Sequence, residues 1–267
     1  MIQKAISYTL NTKKEQISSY TINQVMIGAM FTAVRLSSGY CGIAKTELNH
    51  TIQHGRKGNE SPFVAGKIAG SNILDLLSYD KDENFIDIVK LATLNALSAE
   101  IIEKGNYKIL ENKDPLDLIE PHGKQIAMVG AFCSYIQRLS EINCKLQVLE
   151  LDENAFNSEN KKYYIPASES AKVFANSDIA IITGSALANK TMDGLLNEIP
   201  AKTQIIVVGP TSGIYPELFF ERNVSVIGAT RVTNPDKMFQ MIAEGAAGYQ
   251  LFRSGAAQKI CILNEKK

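Results

Sequence analysis

The sequence predicts an α/β protein in which an α+β part is followed by a doubly wound parallel sheet. Up to about residue 105 strand-like segments come first and helix-like segments follow, whereas strands and helices alternate after residue 124. The stretch between them, "KGNYKILENKDPLDLIEPHGK", is rich in Gly, Asn, Pro and charge, which are turn signals. We therefore expect two domains, at 1–110 and 111–267.

The first part contains two β-rich segments, 21–37 and 39–47, separated by Ser38–Gly39. This pattern predicts a β-hairpin. Residues 64–80 have apolar side chains at helical spacing, and residues 85–105 are apolar on nearly every face of a helix. A helix of that composition is expected to be buried.

The second part predicts a parallel sheet built from short, continuous apolar strands. The strands are expected at 125–132, 145–151, 178–184, 203–210, 224–229 and 259–263. The helices are expected at 133–143, 168–177, 191–199, 216–223 and 234–245. Ser168 and Asn234 are the expected N-caps of two of these helices.

Composition excludes several classes of partner. The chain is 45% hydrophobic and 21% charged, which is typical of a globular protein with a core. Its 28 basic residues balance 28 acidic residues. We expect no nucleic-acid partner and no membrane association, because no net field favours either. A signal peptide is not recognisable and no apolar run is long enough to span a bilayer, so a cytoplasmic protein is expected.

The ends of the predicted parallel strands are the expected functional edge, because open α/β sheets bind ligands beyond the carboxyl ends of their strands. Four strand ends carry glycine, hydroxyl or carboxyl groups. The candidate ligand-binding residues there are Gly130, Phe132, Glu150, Thr183, Gly184, Ser185, Gly209, Pro210, Thr211 and Ser212. Backbone N–H groups after Thr183 and Gly209 are expected to receive an anionic group.

Glu150 follows Gly130 by 20 residues, which is near the spacing of the ribose-binding acid in dinucleotide-binding folds. However, "VGAFCSY" contains a single glycine and not G-x-G-x-x-G. Tight dinucleotide binding is therefore not expected. A looser nucleotide or adenosyl ligand and a solvated strand end both remain open for Glu150.

Three further polar residues allow two interpretations each. Asn189 and Thr191 either cap the next helix or face a ligand. Asn95 lies inside the apolar helix at 85–105, so its amide either hydrogen-bonds within the core or lines a cleft between the domains.

Metal-binding and catalytic motifs are sparse. His50 and His54 have the i, i+4 spacing of a metal pair, but their surroundings predict a solvated loop. The four cysteines form no C-x-x-C pair, which predicts reduced thiols. There is no P-loop, G-x-S-x-G elbow or H-E-x-x-H motif, so hydrolase and NTPase functions lack their usual chemistry.

Several blocks of the sequence resemble the "putative heavy-metal chelation" domain family. These blocks are "AMVGAF", "LQVLEL", "SDIAIITGSALANKTMDGLL" and "IIVVGPTSGIYPELFFERNVSVIGATRV", with "IGAMFTAV" and "ATLNALSAE" upstream. The resemblance implies a domain similar to the N-terminal domain of enolase followed by a Rossmann-like domain, with a site between them.

By position, the family pattern implies site roles for Asn95, Glu150, Thr183, Gly184, Asn189, Thr191, Gly209 and Pro210. The chain departs from it at Thr211–Ser212, where the family often has Ser-Thr. The matched blocks contain no thiolate or imidazole, which soft metals prefer. A metal ion is therefore expected to arrive with a small organic chelator.

Three functions follow as competing hypotheses. The first is binding of a heavy-metal ion or a metal–chelator complex, and the second is an enzyme that uses an adenosyl or nucleotide ligand. The third is a scaffold without chemistry that forms a homo-oligomer. No residue stands out as a nucleophile or general base.

Overall fold

The computed structural model describes residues 1–47, 61–81 and 84–265. The strands in these ranges are β1 (Ile22–Ile27), β2 (Phe31–Leu36), β3 (Cys41–Lys45), β4 (Lys108–Glu111), β5 (Gln125–Val129), β6 (Lys145–Glu150), β7 (Tyr164–Pro166), β8 (Ile179–Thr183), β9 (Gln204–Val208), β10 (Val224–Val232) and β11 (Ala257–Leu263). His50 and His54 lie outside the described residues.

The α-helices in the same ranges are α1 (Ile2–Thr12), α2 (Lys14–Ile17), α3 (Ile73–Ser78), α4 (Asn84–Lys104), α5 (Cys133–Ser140), α6 (Ser170–Ala175), α7 (Ser185–Ala188), α8 (Met192–Glu198), α9 (Pro216–Phe220), α10 (Pro235–Ala243) and α11 (Gly248–Arg253). Within the described ranges, no helix combines the length and apolar character needed to cross a bilayer.

The strands form a small antiparallel sheet and a large mixed sheet. The small sheet has the order β1-β2-β3, and the large sheet has the order β4-β11-β10-β9-β8-β5-β6-β7. Strands β5 to β10 are parallel, whereas β11 and β4 pair antiparallel at one edge. The predicted α/β fold with a doubly wound parallel sheet is thus confirmed.

The order of the parallel strands creates a switch point. The six parallel strands lie in the spatial order β7-β6-β5-β8-β9-β10. If they are numbered 1 to 6 in chain order, beginning with β5, this order is 3-2-1-4-5-6. The chain moves outward in one direction from β5 and then in the other direction from β8. A crevice forms at such a point beyond the strand ends, where ligands bind in this architecture.

Both faces of the large sheet are buried, which explains its continuous apolar strands. Ile126 and Met128 of β5 pack with α5 on one face, and Ala127 joins the core on the opposite face. The small sheet is also packed on both faces. Val34 of β2 packs in the core that includes α4, and Ala33 packs in the core that includes α10 and α11.

Several predicted elements differ in extent. The segment 21–37 is two strands interrupted at Gly28, whose amide donates to Phe31 O. The prediction of a helix at 64–80 was wrong for the first half of the segment. Gly66 and Gly70 have positive φ angles of 86° and 87° there, which is incompatible with a continuing α-helix.

Other corrections concern the large sheet. The predicted N-cap Ser168 lies inside a 3-10 turn, Ala167–Glu169, and α6 begins only at Ser170 without a side-chain cap. Asn234 does cap α10, accepting from the Lys237 amide. Strand β4 includes residues 108–110 and joins the large sheet, while the division into domains at 1–110 and 111–267 stays a prediction.

Helix α4 and strand β3 are in unusually close contact. A Cβ atom on Gly42 would lie 2.2 Å from both Ala92 O and Ala96 N of the helix backbone. Real Cβ atoms do not approach backbone atoms that closely, so only glycine allows this spacing. The contact holds the small sheet against the buried helix.

We expect Gly42→Ala to lower the free energy of unfolding by about 3 kcal/mol, because the strand must move away from α4. Urea denaturation followed by circular dichroism measures the change. Gly194→Ala is the matched control, since Gly194 is exposed on α8 with no atom within 4 Å of its Cβ position. Equal free energies of unfolding for both variants would contradict the proposed contact.

Candidate functional site

The ends of β5 and β8 meet at the switch point. Gly130 follows β5 with a φ angle of +97°, and a Cβ atom there would lie 3.1 Å from Thr183 Cβ. Phe132 stands two residues further on and precedes α5. The strand ends predicted to be neighbours therefore lie next to each other.

The turn after β9 packs onto the turn after β8. The Gly184 amide donates to Val208 O over 2.7 Å, and a Cβ atom on Gly184 would lie 2.9 Å from the Ser212 amide nitrogen. Gly209 has a φ angle of +132° and begins the 3-10 turn Pro210–Ser212. Glycine at both positions allows the two turns to touch.

The hydroxyl groups of Thr211 and Ser212 are occupied within the protein. Thr211 Oγ1 accepts from the Lys45 amide over 2.8 Å, which joins the turn to the small sheet. Ser212 Oγ lies 2.6 Å from Gly209 O and 2.7 Å from Gly228 O. Both residues are almost fully buried. Their hydroxyl groups hold the strand ends together.

A cavity of about 340 Å³ opens where these turns meet the small sheet, and we call it the strand-end cavity. Of the predicted site residues, it is lined by Phe132, Thr183, Ser185, Gly209, Pro210 and Thr211. The small sheet contributes Phe31 and Lys45, and α11 contributes Tyr249 and Phe252. The cavity thus lies between the two sheets.

Positive charge dominates the lining of this cavity. Lys45, Lys113 and Lys259 line it, with Asp114 as its acidic residue. Lys259 Nζ lies 2.8 Å from Asp114 Oδ2. Within residues 1–47, 61–81 and 84–265, neither Lys45 nor Lys113 forms an ion pair. Two cationic groups therefore remain without a counter-charge in the described part of the cavity.

Asp114 organises one side of the cavity. Its Oδ1 accepts from the Leu116 amide over 3.1 Å, which caps the 3-10 turn Pro115–Leu118, and it also accepts from the Tyr135 hydroxyl. Burial alone would raise the pKa of Asp114, but hydrogen bonds from Lys259 and Tyr135 outweigh burial and hold that pKa below its usual value. Asp114 is therefore a carboxylate at neutral pH.

Glu150 ends β6 but does not line the strand-end cavity. Its Oε2 accepts from the Ala131 amide over 3.0 Å, and its Oε1 accepts from the Leu151 amide over 2.7 Å. The carboxylate connects the end of β6 to the turn after β5.

Asn189 and Thr191 also lie outside the strand-end cavity, because the short helix α7 separates them from the end of β8. Asn189 Oδ1 accepts from the Thr191 amide over 3.2 Å and from the Thr191 hydroxyl over 2.7 Å. Both residues are exposed.

Asn95 lines a second cavity, of about 380 Å³, between α4, β3 and β10. Its Nδ2 donates to Ile43 O over 2.6 Å and to Thr211 O over 3.2 Å. Both partners are carbonyl groups, so the amide orientation is fixed by chemistry. The Oδ1 atom is buried and has no hydrogen-bond partner among the described residues. Asn95 therefore hydrogen-bonds within the core and also lines this second cavity.

Two family patterns cover most of the chain. A family described as "Putative heavy-metal chelation", DUF364, matches residues 114–261, and a second family with the same description, DUF4213, matches residues 11–98. The chain belongs to the DUF364 family. No curated protein sequence matches the chain.

Solved structures of DUF364 proteins share the fold. A DUF364 protein of unknown function from Pyrococcus horikoshii is 21% identical, with a TM-score of 0.76 over 99% of this chain and 100% of its own. One from Desulfitobacterium hafniense DCB-2 is 17% identical, with a TM-score of 0.73 over 98% of each chain. At these identities the likeness shows the fold alone.

The side chains of the strand-end cavity do not fit direct coordination of a heavy-metal ion. Soft and borderline metals prefer thiolate and imidazole ligands, and neither lines the cavity in the described ranges. Across those ranges, no three His, Cys, Asp or Glu residues come close enough to hold a metal ion together. Burial raises the pKa of the nearby Cys261 to about 12, so its thiol stays protonated.

The residues missed by sequence reasoning come from distant parts of the chain. Phe31 and Lys45 are paired partners on β2 and β3, so strand alternation could have placed them together. No local sequence pattern indicated that Lys113 and Lys259 would line the cavity. Tyr249 lies on α11, a helix that was not predicted from the sequence.

We expect Asp114→Asn to lower the free energy of unfolding by about 2 kcal/mol at pH 7, because a charged hydrogen-bond acceptor is lost. The folded-state pKa of Asp114 lies below the unfolded-state pKa of about 3.9. The contribution of the Asp114 carboxylate to the free energy of unfolding is therefore complete above the unfolded-state pKa, and it is lost as the pH falls through the folded-state pKa.

Urea denaturation at pH 7 and at pH 3 measures the difference in the free energy of unfolding between the wild type and the variant. Glu159→Gln, at an exposed position, is the control and is expected to change neither value. A difference of the same size at both pH values would rule out the charge of Asp114 as its source.

Proposed function

We propose that this DUF364 protein binds a small anionic organic chelator, together with its metal ion, in the strand-end cavity. The observation that carries the proposal is the pair of lysines, Lys45 and Lys113, that line the cavity without an acidic partner in the described ranges. Lys45 is half-buried and Lys113 is exposed. The half-buried ammonium group gains most from an anionic ligand, because water around it is partly excluded.

The start of α5 supports an anionic ligand as well. Phe132, Ser134 and Tyr135 line the cavity, and no side chain caps the N-terminus of this helix. The first N–H groups of a helix lack intrahelical partners and carry the positive end of the helix dipole. They add to the attraction that the lysines exert on a carboxylate or a similar group.

The metal ion is proposed to be held by the organic ligand. The one carboxylate of the described lining, Asp114, already accepts hydrogen bonds from Leu116, Tyr135 and Lys259. The thiolate and imidazole ligands that soft metals prefer do not line the cavity in the described ranges. In this arrangement the protein recognises the negative charge and the shape of the chelate. We place this function in the cytoplasm, which the four free cysteines support because disulfides are rare there.

A second candidate is an adenosyl or nucleotide ligand bound at the end of β6. The strand order favours it, because Glu150 ends the strand next to β5, where ribose-binding acids occur in this architecture. Both carboxylate oxygens of Glu150 already accept backbone amides. A ribose would have to compete with these hydrogen bonds, so we rank this candidate second.

We expect citrate and nickel(II) citrate to bind the wild-type protein in isothermal titration calorimetry, whereas nickel(II) chloride does not. Lys45→Met is expected to weaken citrate binding about tenfold, the loss typical of one charge-assisted hydrogen bond. The Lys45 backbone amide keeps its bond to Thr211, so the fold is not at risk.

Lys202→Met is the matched control, because Lys202 is exposed at the opposite end of β9. Binding of nickel(II) chloride as tight as that of its citrate complex would contradict the proposal, as would unchanged citrate binding in Lys45→Met. ATP and S-adenosylmethionine test the second candidate. Tighter binding of either than of citrate, abolished in Glu150→Gln, would favour it over the chelator.

A further inference from the structure

Aromatic side chains are concentrated in the wall of the strand-end cavity. Five of its 22 lining residues are aromatic, namely Phe31, Phe132, Tyr135, Tyr249 and Phe252. Phe, Trp and Tyr together make up only 7% of the whole chain. Recognition of an aliphatic anion by lysines alone does not need this concentration of rings.

The rings come from two separate parts of the fold. Phe132 and Tyr135 lie at the start of α5, with ring centroids 5.5 Å apart. Tyr249 and Phe252 lie on α11, and the nearby Phe31 has its Cζ atom 3.6 Å from the Cβ position of Gly248. One cavity is therefore bordered by aromatic groups from α5 on one part of the fold and from β2 and α11 on another.

Two of these rings have features typical of a recognition surface. Tyr249 is 62% exposed, so its ring is accessible to a ligand. The Phe252 ring has Lys259 Nζ at 5.6 Å from its centroid, which is within the range of a cation–π contact. One cationic and one aromatic group thus lie side by side in the lining of the cavity.

Resting on the function proposed above, we propose that the ligand carries its chelating groups on an aromatic ring. The ligand class is an aryl chelator with adjacent anionic oxygens, such as a catecholate or an ortho-hydroxybenzoate. Adjacent oxygens bind the metal ion and face Lys45 and Lys113, while the ring packs against the aromatic wall. Each well-placed ring contact adds a factor of about three to ten in affinity.

An aliphatic chelator of the same charge gains the attraction of the lysines but not the ring contacts. Two probes with the same pair of carboxylates, one on an aromatic ring and one on a saturated ring, separate this inference from the proposed function when both are titrated at a pH at which they are dianions. Phthalate and cis-cyclohexane-1,2-dicarboxylate carry the same two carboxylates on neighbouring carbons of a six-membered ring. We expect calorimetry to show phthalate binding about fivefold more tightly to the wild-type protein.

Substitutions then assign the preference to the rings. Tyr249→Leu and Phe252→Leu keep apolar volume and remove the ring, so each is expected to bring the affinity ratio of the two diacids towards one. Tyr163→Leu, which does not line the cavity, is the matched control and is expected to keep the ratio. Lys45→Met is expected to weaken both diacids equally, since both carry the same charge.

The outcomes distinguish the two levels of the proposal. Equal affinity of the two diacids for the wild-type protein would overturn the aryl ligand and leave the anionic chelator standing. A phthalate preference that survives both Tyr249→Leu and Phe252→Leu would also overturn it. If neither diacid, nor citrate, binds the wild-type protein, the chelator function itself is overturned.

Discussion

The contact between β3 and α4 is the constraint on which the rest of the site depends. Because Gly42 has no side chain, the backbone of the strand lies directly against the helix. At this spacing Asn95 reaches two carbonyl groups at once, those of Ile43 on the small sheet and Thr211 on the turn after β9. One amide group therefore ties the helix, the small sheet and the large sheet together.

This junction also determines which groups face the strand-end cavity. The Thr211 hydroxyl accepts a hydrogen bond from the Lys45 amide, so the backbone of β3 is held next to the end of β9. The Lys45 side chain then lines the cavity. Hydroxyl groups at the strand ends serve to join elements, and the charge that a ligand meets comes from lysines outside the parallel strands.

Local patterns predicted the parallel strands other than β7 and the meeting of their ends, because apolar runs and turn residues depend on neighbours in sequence. The prediction of a helix at 64–80 was wrong where Gly66 and Gly70 adopt positive φ angles. Lys45, Lys113 and Tyr249 could not be predicted as cavity residues. Lys45 and Tyr249 reach it through the packing of the small sheet and α11, and Lys113 reaches it from the turn after β4. No local pattern encodes these positions.

The electrostatics of the cavity separate the two ways in which a metal ion could enter it. A bare divalent cation would approach Lys45 and Lys113, and each unneutralised ammonium group would repel it. The repulsion is strongest at the half-buried Lys45, where screening by water is incomplete. A chelate with net negative charge reverses the sign of both interactions. The chain as a whole has no net charge, so this selection arises locally. The same lysines that disfavour the free ion therefore favour the ion once an anionic organic ligand surrounds it.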